Sequence, residues 1–226
     1  MKRIGYVLTF ALLSCAHVSA QFESIVGLEV DLIKSHTDGD LDGYKTYRVY
    51  AVMENEGDAI MAVFGLDDMP LLVTTDGEFY QHSRGGLSSR EIYRHDLIDL
   101  SNVHPLLAYD SWVTIGYEDH YENALQTNSI NDDFEKTLNV ADSLFTKNGF
   151  WFVWPEQSKD APAPKQCTAG PSKRILLMQL TTNGNLDGLV NVQGYTRLFD
   201  LYIEEDDSYQ RVKNNIQSTG LRFSSP

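Results

Sequence analysis

Leu71-Leu72-Val73-Thr74-Thr75-Asp76-Gly77-Glu78-Phe79-Tyr80-Gln81 is the stretch on which the fold class turns. Two runs of aliphatic, β-branched and aromatic residues flank an Asp-Gly pair. That pair, set between strand-formers, has the chemistry of a tight β-hairpin, because both central residues of such a turn must reach positive φ. The same chemistry recurs at Leu180-Thr181-Thr182-Asn183-Gly184, between strand-like Arg174 to Thr182 and Leu189 to Ile203. The echo reads as one hairpin solution used twice, with a duplicated half-domain as the alternative.

Outward from these motifs the chain keeps the same character. Ile25, Gly27, Glu29, Asp31 and Ile33 alternate with Val26, Leu28, Val30 and Leu32, as in a half-buried strand that ends at the acidic turn Asp38 to Gly43. Thr46 to Met53 and Ala59 to Phe64 flank the turn-forming Asn55-Glu56-Gly57-Asp58, which predicts a further hairpin. Trp112 to Tyr117 and Phe150 to Trp154 are the remaining strand candidates. Ile92 to Leu107 supports only short helical turns, Asp132 to Leu144 a short amphipathic helix, and Pro155 to Pro171 an exposed Pro-rich loop. Many short strands, frequent turns and little helix predict an all-β single domain, sandwich or jelly-roll-like, over residues 21–205, followed by a polar tail over 206–226.

The first twenty residues carry a different signal. Lys2 and Arg3 precede an apolar stretch from Ile4 to Leu13, and Val18-Ser19-Ala20 supplies small residues before Gln21, the three parts of a cleavable secretory signal. Leu12-Leu13-Ser14-Cys15 offers a competing lipoprotein reading with the lipid on Cys15, but Leu13 fits that motif poorly, so release is favoured. The apolar stretch falls short of the roughly 20 residues a spanning helix needs, and no later segment reaches them. Cleavage removes two basic residues and no acid, taking the net charge from −14 to −16. A field of that sign repels nucleic-acid phosphates and anionic lipid, and favours cations. Cys167 is then the single cysteine left, so no intrachain disulfide forms, and its place in a Pro-rich stretch suggests an exposed thiol able to bridge two chains.

Candidate sites are few. Asp38-Gly39-Asp40-Leu41-Asp42-Gly43 has the alternating carboxylates of a calcium loop. Its twelfth position is Val49 rather than Glu, which excludes an EF-hand and leaves a looser calcium site on Asp38, Asp40 and Asp42. Metalloprotease, nucleophile-elbow, Walker and dinucleotide motifs are missing, and the histidines lack metal-ligand spacing. Ser111, after Asp110, would need a distant His to act as a nucleophile. Trp112, Trp151 and Trp154 are the largest rings available to stack on a sugar face, with a core role as the competing reading.

Through Tyr47-Arg48-Val49-Tyr50-Ala51-Val52, Ala108-Tyr109-Asp110-Ser111-Trp112-Val113-Thr114-Ile115-Gly116 and Leu176-Leu177-Met178-Gln179-Leu180-Thr181-Thr182, the chain resembles a group of uncharacterised secreted domains of marine bacteria and microalgae. The resemblance implies an extracellular location and no particular activity, with Asp110 and Ser111 either in a site or determining the fold. The expected function is a secreted binding or cell-surface domain for a polysaccharide or matrix component, with calcium as a structural ion. An extracellular hydrolase and a structural or adhesive component are the alternatives.

Overall fold

A computed structural model describes residues 24–128, 143–154, 165–205 and 208–226, with side chains described outside 197–214. The export signal expected over residues 1–20, most of the helix expected over Asp132–Leu144 and most of the expected Pro-rich loop lie outside the described residues. The rest is β-rich and antiparallel, as expected for an all-β sandwich-like domain.

One sheet holds four strands: β1 (Ile25–Ser35), β2 (Lys45–Met53), β5 (Trp112–Val113) and β9 (Arg174–Thr182), in the order β1-β2-β9-β5. The other holds β3 (Ala59–Phe64), β4 (Leu71–Thr75), β6 (Leu125–Asn128), β7 (Ser143–Thr146), β8 (Phe150–Val153), β10 (Leu186–Glu205) and β11 (Ser208–Ser224). β11 occupies one side of β10, while β3 and β4 lie end to end along the other, each joined in turn by β8 and β7. Between the sheets, Val49, Ala51, Ile60, Val63, Leu144, Trp151, Leu177 and Val190 form a continuous apolar core. β9 is buried from Ile175 to Thr182, so it opens with the apolar run Ile175 to Met178 instead of an alternation, and its polar Gln179, Thr181 and Thr182 are buried as well. Its outer side is covered by a second cluster of Ile92, Leu107, Trp112 and Leu176, set by helix α1 (Arg94–Ile98) and the 3-10 turn Leu107–Tyr109.

Three expected pairings differ. β2 and β3 are not a hairpin: β2 pairs with β1 and β9 in one sheet, β3 with β10 and β8 in the other. The turn between them crosses the sandwich because Asp58 is fully buried and gathers Ser24 Oγ, the N–H and Nδ2 of Asn55, and Thr196 Oγ1 at 2.9 Å. The strand expected over Trp112 to Tyr117 ends at Val113: the Thr114 and Gly116 N–H groups still donate to Leu177 O and Leu176 O of β9, but the chain turns at Gly116 (φ +82°), where a Cβ would collide with Gln166 O. The segment expected as a polar tail forms β11, whose Phe223 ring packs over Gly188 and whose Ile216 is buried.

The two Thr-Thr-Asp/Asn-Gly motifs are also not hairpins. They interlock. β4 runs on through Asp76-Gly77 to Phe79, which bridges Thr182, while β9 runs on through Asn183-Gly184 into β10, which pairs with β4. Both chains thus pass from one sheet to the other side by side, a shared corner of the kind that orthogonal sheet packing requires. The contacts follow an approximate two-fold relation. Thr75 Oγ1 accepts from the Gly77 N–H and Thr182 Oγ1 from the Gly184 N–H, and the two hydroxyls meet at 2.7 Å. Asp76 accepts from Asn185 at 2.5 Å, and Asn183 Oδ1 from the Glu78 N–H at 2.8 Å. Gly77 and Gly184 oppose one another at the centre, where a Cβ on either would strike the other's backbone.

Candidate functional site

The open side of the sandwich, where β5 and β6 are the sheet edges, holds a cleft of about 850 Å³. One wall is the loop from Gln81 to Ser88, the other is Leu125 to Thr127 of β6, with Arg90, Glu91 and Tyr93 at the rim. The loop is fixed at both ends, and at its start Gln81 Nε2 donates to Ser111 O at 2.8 Å. Leu87 O accepts the Val113 N–H at 2.8 Å, and a capping box between Ser88 and Glu91 starts the 3-10 turn Ser89–Glu91. In its middle, Asp110 Oδ1 accepts the His82 N–H at 2.6 Å and Oδ2 the Gly86 N–H at 3.1 Å. The chain passes so close that a Cβ on Gly85 would overlap the Asp110 carboxylate.

Beneath the cleft lies a buried polar network. Asn123 Nδ2 donates to Ser89 Oγ, which donates to Thr114 Oγ1 at 2.7 Å, while Gln166 Nε2 donates to Asn123 Oδ1 at 2.6 Å. Trp151 Nε1 donates to Thr114 O at 2.9 Å, tying the network to the core.

The charged groups around the cleft already have partners. Arg90 Nη1 donates to Leu125 O, Glu91 accepts from Ser88, and the Arg84 guanidinium sits on the buried Asp96 at 2.7 Å. Burial pushes the Asp110 carboxyl up to about 7, against the opposing pull of the His82, Gly86 and Ser111 N–H groups. Burial also holds His82 below its usual range, helped by the neighbouring His104 and Arg84. Beside Arg90 and Glu91 at the rim, the polar and aromatic groups facing the cleft are neutral: Ser83, Gln126, Thr127 and the ring of Tyr93, 54% exposed.

Next to the cleft, the outward side of β8 carries a row of rings. Phe150 and Phe152 have centroids 5.4 Å apart, as do Phe152 and Trp154, with interplanar angles of 45° and 69°. Phe64 pairs with Phe150 across the strands, Phe145 is exposed on β7, and Gln126, which lines the cleft, pairs with Phe152.

Of the three tryptophans considered from sequence, Trp154 is 60% exposed, whereas Trp112 and Trp151 are buried in separate clusters. Successive positions on a strand face opposite ways, which explains Trp151 inward and Phe152 outward. Asp38, Asp40 and Asp42 are exposed around the 3-10 turn Gly39–Leu41, and no group of three His, Cys, Asp or Glu side chains placed to hold a metal occurs among the described residues. Cys167 is not an exposed thiol. It lies fully buried against Met61 at 3.5 Å, because the 3-10 turn Lys165–Cys167 folds it into the inter-sheet core. Ser111 is likewise buried, donating to Thr181 O and accepting the Thr181 N–H at 2.9 Å, which makes it a splint between β5 and β9. The three tryptophans alone do not reveal the aromatic row; its signal in the sequence is the alternation Phe150, Phe152, Trp154.

Comparison with known proteins finds no matching family model, no matching curated protein and no matching solved structure. None of the described helices is long and apolar enough to cross a membrane.

Proposed function

We propose that this chain is an exported, non-catalytic domain that binds an extracellular polysaccharide or matrix glycan, with the chain of sugars lying in the cleft and across the aromatic row. The observation that carries the reading is the junction of the two surfaces: Gln126 lines the cleft and stands opposite Phe152 in the ring row. Hydroxyl-rich ligands need neutral donors and acceptors beside apolar ring faces, and that combination is what lines this part of the molecule. The engaged state of Arg90 and Glu91, together with a net charge of −14 on the whole chain, favours an uncharged glycan over a uronate or sulfated one. Glycoside hydrolysis would call for two carboxylates flanking the bond. Glu91 is the one carboxylate among the described lining residues, and it is tied to Ser88.

Affinity electrophoresis through neutral and anionic polysaccharides tests this. Retardation by a neutral polysaccharide is expected, weakened about tenfold by Trp154→Ala, the scale of losing one aromatic anchor. Free migration in every polysaccharide would discard the reading.

A further inference from the structure

Asp110 is a buried ionisable group that the proposed binding role leaves without a task. It is fully buried after the 3-10 turn Leu107–Tyr109, directly behind the loop wall of the cleft. Its oxygens receive the N–H groups of His82 and Gly86, both in that wall, while the neighbouring Ser111 N–H donates to Tyr80 O at 3.2 Å. An ionised carboxylate offers acceptors only, which suits two N–H donors, one on each oxygen. A proton converts one oxygen into an O–H donor, and an O–H directed at an N–H leaves one of them unsatisfied.

The titratable and charged groups around Asp110 come from every element packed near it. Tyr80 stands on the strand entering the loop, His82, Arg84 and Glu91 on the loop and its 3-10 turn, Asp96 on α1, and His104 on the segment leading to Asp110. Arg84 is held by Asp96, His82 and His104 stand with ring centroids 5.8 Å apart, and the charge of Glu91 favours the protonated form of Asp110. Burial is the larger influence and sets the titration near neutrality.

We propose that Asp110 is a pH-operated latch on the cleft: ionised, it holds the Gln81–Ser88 wall in place, and protonated, it releases that wall at His82 and Gly86 while the carboxyl itself stays buried. Raising pH closes the latch and acidification opens it. Its consequence for ligand rests on the cleft being the binding site, whereas the latch itself is observable in the protein alone.

The test therefore uses the full chain without ligand. NMR follows the Asp110 carboxyl carbon and the hydrogen-exchange protection factors of the His82 and Gly86 amides between about pH 5 and about pH 9. The carboxyl is expected to titrate near neutrality, with both amides gaining about tenfold in protection over the same step. Asp110→Asn places an NH2 where the protonated O–H would stand, so both amides should keep the acid-form protection throughout. His104→Gln should leave the step in place. A carboxyl titrating in the ordinary range below about pH 5, flat protection, or a step abolished by His104→Gln would overturn the latch. Should Asp110→Asn fail to fold, the carboxyl signal of the unmodified chain and the His104→Gln variant decide. Failure of the glycan reading shows separately, as a working latch in a chain that no polysaccharide retains.

Discussion

At the scale of single residues, the Asp110-Ser111 pair ties the cleft wall to the sheet. Asp110 reaches back to His82 and Gly86, 28 and 24 positions earlier, and Ser111 forward to Thr181, 70 positions later. Those separations explain why the pair stood out in the sequence while its role did not: nothing local marks which distant amides a carboxylate will meet. The sign of the Asp110 shift gives a stability prediction. Its carboxyl titrates at 3.8 in an ordinary setting and at about 7 in the fold, so the folded state holds a proton that the unfolded chain has lost across that interval. Stability should fall as pH rises through this window, by on the order of 4 kcal/mol at most. Urea denaturation at a series of pH values reads the slope, and Asp110→Asn should flatten it. Cys167 supplies a second prediction: its thiol should resist a colorimetric thiol reagent in the native protein and react fully in denaturant. Rapid native labelling would contradict the buried position.

Among the elements, the shared corner and β8 are the two informative cases. Replacing Gly77 or Gly184 by Ala places a methyl against the opposing backbone, so each should lower stability by about 2 kcal/mol or more, measured as a drop in the urea midpoint. In β8 the alternation of faces separates two tryptophans three positions apart. Trp151→Ala opens the inter-sheet core and should cost roughly 3–5 kcal/mol. Trp154→Ala should leave the denaturation midpoint within about 0.5 kcal/mol of the parent while weakening glycan retention. Strand positions were largely legible here, with β3 and β9 read at their observed limits and β2 within one residue of them. Pairing was not. A Thr-Thr-Asp-Gly run turns a chain equally well in a hairpin or in a sheet-crossing corner, and the choice is made by the partner strand more than a hundred residues away. β11 escaped notice for a related reason, since Ile216 and Phe223 are isolated apolar residues in a polar run and acquire their meaning from Gly188 and its neighbours on β10.

For the whole molecule, composition and turn spacing were enough to assign a β-rich class, because that class follows from local chemistry summed along the chain. The cleft was not legible, since its walls come from residues 81–93 and 125–127 and its floor from Ser89, Thr114, Asn123 and Gln166, which the topology gathers from separate segments. The crossing of the two glycines has a kinetic consequence. β4 emerges early in synthesis but gains its corner partner only once Asn183 to Leu189 exist, and β10 needs β11 to fill its other side. Loop-closure entropy must be met before those distant contacts return anything, so chains wired in this way collapse late and slowly. Until then β2, β3 and β4 lack the C-terminal strands they pair with. Completion of the sandwich thus waits on its last strands, an order of assembly compatible with the proposed export route.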